Sequence, residues 1–169
     1  MTGGSSTLDN PNMDHIVERL RTFPTPLMTA FSDSLHALEA TDDNDLMIHW
    51  AEEGIRIAQL SSRSWEVAVE YFRATPSIIG HIGEPHLQRW IDCGTELNEE
   101  SPVMAAAFFR ASPSVIPRIS PRQMSLWASL GKGLSQGTWK SSTLATRFFD
   151  SSPELSEHLS FREIDLLVS

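Results

Sequence analysis

His81, His86 and Cys93 carry the donor types of a zinc site within a short stretch of chain. The two histidines flank Gly83 and Pro85, however, so they read as residues of an inter-helix turn, and Cys93 reads as a small residue inside a helix. Gly131-Lys132-Gly133 has the composition of a phosphate loop but lacks the upstream glycine of the Walker spacing and a preceding strand, so it reads as a helix end. Serines are abundant, yet none sits in a Gly-x-Ser-x-Gly elbow, and several directly precede proline, where a hydroxyl caps a helix. Glu52-Glu53 and Glu99-Glu100 are adjacent pairs whose side chains diverge on a helix rather than meeting as an acid–base dyad. No catalytic residue, metal ligand or cofactor is expected from these groups, and an enzyme ranks third among the readings.

The charge pattern offers a different chemistry. Residues 101–149 hold Arg110, Arg118, Arg122, Lys132, Lys140 and Arg147 and no acidic residue, whereas residues 39–100 hold thirteen acidic and four basic residues. A solvated surface is the simplest account of such variation. The sharper one is that the basic stretch recognises an acidic protein partner and steers its approach. The whole chain has a net charge of -9, which argues against nonspecific nucleic-acid binding as the main activity. Polyanion or nucleic-acid binding through the basic stretch is the alternative function, and head-to-tail self-association of the oppositely charged ends is a third use of the pattern.

A tandem repeat must position these groups. Tyr71-Phe72-Arg73-Ala74-Thr75-Pro76, Phe108-Phe109-Arg110-Ala111-Ser112-Pro113 and Phe148-Phe149-Asp150-Ser151-Ser152-Pro153 align, with their prolines 37 and then 40 residues apart. Trp50, Trp90 and Trp127 are spaced by 40 and 37, and Gly54, Gly94 and Gly131 follow each by four residues. These recurring positions read as the ridge that each repeat buries against its neighbour, with the glycines admitting a close helix. Each unit is read as helix A carrying the tryptophan, helix B carrying the aromatic pair, and a short helix C. Proline disfavours α geometry in the residue before it, so the Ser/Thr-Pro steps are expected to end helix B and open helix C. Ser101-Pro102 and Ser120-Pro121 read as N-cap and first helical residue.

The expected fold is therefore an all-α tandem helical repeat, an α-α superhelix of HEAT or armadillo type with about 37–40 residues per unit. Residues 1–12 read as a disordered leader and 13–169 as one repeat domain. Its capping unit covers about 13–45, its repeats 46–83, 84–120 and 121–160, and its partial unit 161–169. Helix A is expected on the concave side. The single cysteine leaves no disulfide within the chain, and no signal-like start or membrane-length apolar run is present, which fits a cytoplasmic protein with no membrane contact.

The Trp, then Gly, then aromatic pair with Ser/Thr-Pro resembles the N-terminal helical repeats of bacterial von Willebrand factor A proteins of the CbbO/NorD type, over roughly residues 46–167. The resemblance implies an adaptor that works with a MoxR-class AAA+ ATPase to activate or remodel a client enzyme. That family's metal-binding Asp-x-Ser-x-Ser loop has no match here, because Asp150-Ser151-Ser152-Pro153-Glu154 ends in glutamate. The implied role is thus protein binding by the helical part, as a scaffold or adaptor without a metal.

Overall fold

The computed structural model describes residues 11–136 and 142–158, and every regular element among them is helical. The order is α1 (Pro11–Leu20), α2 (Thr25–Leu38), α3 (Asn44–Ala58), α4 (Ser64–Glu100), α5 (Pro102–Val115), α6 (Pro121–Gln136) and α7 (Ser142–His158), with 3-10 turns at Glu39–Thr41 and Ile116–Arg118. The chain is all-α with repeated packing of neighbouring helices. Helix α1 begins at Pro11, so the last two residues of the expected leader are helical. The partial unit expected at 161–169 lies outside the described residues.

Helix starts follow from side-chain caps. Asp43 accepts from the Leu46 amide at 3.0 Å before α3, and Ser101 accepts from the Met104 amide at 3.4 Å before α5. Ser120 and Gln123 satisfy each other's amides at 3.2 and 2.9 Å, a reciprocal capping box ahead of α6. Helix α4 is two arms, 64–82 and 84–100, broken at Gly83 (φ 66°, ψ 172°), a left-handed backbone that a side chain would strain. Pro85 follows at the start of the second arm, where a missing amide proton costs nothing.

The expected proline breaks do not occur. Pro76 lies within the first arm of α4, Pro113 within α5 and Pro153 within α7. Each preceding hydroxyl donates to the carbonyl four residues back: Thr75 to Tyr71 at 2.8 Å, Ser112 to Phe108 at 2.7 Å and Ser152 to Phe148 at 2.7 Å. The proline deletes one helical hydrogen bond, and packing outweighs the loss. Phe72 and Ile78, on either side of Pro76, are both fully buried, which a broken helix would forfeit. Among the described residues a separate short turn follows Pro113 alone, at Ile116–Arg118, and corresponds to the expected helix C of that unit.

Packing divides the chain into two compact units, Met1–Pro76 and Ser77–Ser169. In the first, Phe31, Trp50 and Phe72 form an aromatic trio with ring centroids 5.0 to 5.5 Å apart. Phe108, Trp127 and Phe149 form the same trio in the second, at 4.9 to 5.6 Å. Phe31 thus does in the capping segment what Phe108 does in a full repeat. The glycine of each copy explains the close approach: a Cβ on Gly54 would overlap the Phe72 ring, on Gly94 the Phe109 ring, and on Gly131 the Phe149 ring.

Candidate partner-binding face

The recurrent residues are consumed by packing. Trp50, Trp90, Phe72, Phe109 and Phe149 are fully buried, Trp127 is buried, and Pro76, Pro113 and Pro153 are half-buried. The Trp90 indole donates to Ser112 at 3.0 Å and that of Trp127 to Ser152 at 2.9 Å. Trp50 departs from this pattern. Its indole N–H is buried without a partner among the described residues, and its carbonyl accepts instead from the Tyr71 hydroxyl at 2.9 Å. Burial pushes the Tyr71 hydroxyl well above its ordinary pKa, with the Glu53 charge adding to the rise and Arg56 opposing it. The Ser–indole pairing is a feature that the aligned Ser/Thr-Pro steps marked but did not reveal, since serine before proline also suits a cap.

The six cations of the basic stretch do not share one setting. Arg110 on α5 is paired with Asp150 on α7 at 3.0 Å, joining equivalent positions of two repeats. Lys132 is half-buried on α6 and lines a groove beside Asp92 and Glu96. Lys140 lies outside the described residues. Arg118, Arg122 and Arg147 are exposed. Arg118 closes the turn before α6 and Arg122 occupies that helix's first turn, which contains no acidic residue. A cation there opposes the positive end of the helix dipole, so this corner is electropositive from both sources.

The groove, of about 380 Å³, runs between the second arm of α4 and α6, helix A of two successive repeats. Cys93 lies in its wall, its thiol pushed up to about 11 by burial first and then by Glu96 and Asp92, against the lowering effect of Arg89 and a Ser125 hydrogen bond. The thiol is therefore protonated and a poor nucleophile at neutral pH. His81 and His86 stand on either side of the Gly83 break, and among the described residues no three His, Cys, Asp or Glu side chains converge to hold a metal. No helix among the described residues is long and apolar enough to cross a membrane.

No family model, curated protein or solved structure matches the chain.

Proposed function

We propose that the chain is a non-catalytic, cytoplasmic protein-binding scaffold or adaptor, whose partner presents an acidic surface to the Arg118–Arg122 corner. One observation carries this reading. Arg122 sits in the first turn of α6, with no acidic residue in that turn to offset it. Such a placement costs helix stability on the order of 0.3–1 kcal/mol, which a partner's carboxylate would reverse by meeting both the guanidinium and the helix terminus. The resemblance to CbbO/NorD-type proteins supports an AAA+ ATPase of the MoxR class, or its client, as that partner.

The test is capture from the source organism's extract with the native chain and with Arg118→Glu/Arg122→Glu, followed by mass spectrometry. Recovery of an AAA+ ATPase or its client, lost on charge reversal, is the expected result. Recovery of nucleic acid that elutes steeply with salt would favour polyanion binding instead.

A further inference from the structure

Helix B of each repeat carries a row of side chains at equivalent positions: Val67, Tyr71 and Ala74 in α4, Met104, Phe108 and Ala111 in α5, and Leu144, Phe148 and Ser151 in α7. Steps of four and three residues place each row on one helix face. The first two rows are buried throughout, whereas Leu144 is 42% exposed, Phe148 is half-buried and Ser151 is exposed. Rings of the following repeat cover Phe108, with Trp127 at 4.9 Å and Phe149 at 5.6 Å. The α7 row is the next copy of that interface, with its apolar residues still partly in solvent.

The sequence after His158 contains a matching cover. Residues 160–169 align without a gap on residues 120–129, so that Ser160, Arg162 and Ser169 repeat Ser120, Arg122 and Ser129. Ile164 stands for Met124, Leu167 for Trp127 and Val168 for Ala128, and α6 buries all three of those earlier residues. Glu163 stands for Gln123, so the capping-box pattern that opens α6 is present a second time. We infer that residues 160–169 dock on the exposed α7 row as the helix A of a further unit, with Leu167 covering Phe148 as Trp127 covers Phe108. A helix of that length spans about 15 Å, enough to pass both Leu144 and Phe148, which lie about 6 Å apart along α7. Leucine buries less area than the indole it replaces, so this seat holds less firmly than the one on Phe108.

Chemical unfolding of the full chain tests the contact through Phe148→Ala and Leu167→Ala, alone and together. Leu167→Ala should raise the unfolding constant roughly tenfold in the native background and less than about twofold once Phe148→Ala has removed its seat. Both values should hold at protein concentrations about a hundredfold apart, because the occupant belongs to the same chain; a second copy on the seat would make them concentration-dependent. A labelling measurement needs no comparison of stabilities. In a Cys93→Ser/Phe148→Cys chain the only thiol lies on the seat, and adding Leu167→Asp should speed its alkylation by at least about tenfold at unchanged helical circular dichroism. Additive losses, losses that vary with concentration, or equal alkylation rates would overturn the inference.

Discussion

The Trp90 indole N–H donates to the Ser112 hydroxyl at 3.0 Å, and that hydroxyl in turn donates to the Phe108 carbonyl at 2.7 Å. The hydroxyl is thus acceptor and donor at once, deep in the core. Ser112→Ala leaves a buried indole N–H unsatisfied and is expected to cost about 1–3 kcal/mol in urea unfolding. Ser152→Ala, which removes the partner of Trp127, should behave alike.

Trp50 supplies the contrast, since its N–H is already orphaned. All three tryptophans lose similar apolar area on replacement by phenylalanine, but only Trp90 and Trp127 also lose an indole hydrogen bond to a buried serine. Trp50→Phe should therefore be milder than either counterpart, by about 1 kcal/mol. Equal losses at the three positions would contradict the asymmetry.

The glycine positions give a prediction of sign. In an exposed helix Gly→Ala gains about 1 kcal/mol of propensity, but at Gly94 the new methyl meets the Phe109 ring, which is fully buried against Trp90 and Phe108. Overpacking of about 1–3 kcal/mol wins, so Gly94→Ala should destabilise. In a Phe109→Ala background the obstruction is gone, and the same substitution should turn stabilising. A double-mutant cycle by chemical unfolding reads this reversal.

Alkaline titration should weaken the fold in a defined window. Cys93 ionises near its ordinary 9.0 in the unfolded chain but at about 11 in the folded one. Between those values the unfolded state binds fewer protons, so stability is complete below pH 9 and falls as pH rises toward 11. Tyr71, raised in the same direction from 10.0, adds to the decline from about pH 10 and prolongs it at higher pH. Cys93→Ala should flatten the slope between about pH 9 and 10 and reduce it between about 10 and 11, leaving the Tyr71 part.

Much of the packing was legible because repetition reads like an alignment within one chain. Trp50, Trp90 and Trp127, each with a glycine four residues on, disclosed the ridge and its obligate close contact. Local rules misjudged Thr75-Pro76, Ser112-Pro113 and Ser152-Pro153, since the burial that keeps each helix running belongs to neighbouring helices and not to the dipeptide. Charge counting also merged unlike residues. Arg110 belongs to a pair with Asp150, and Lys132 belongs to a groove whose other wall, with Arg89, Asp92 and Glu96, lies about forty residues earlier, so neither setting is visible along the chain.

The most direct test of the adaptor reading is the affinity of the captured partner for the native chain and for Arg118→Glu/Arg122→Glu, measured by titration calorimetry at low salt. Charge reversal should weaken binding at least about tenfold, with unchanged melting temperature. Equal affinities at low salt would contradict the assignment of the partner to this corner.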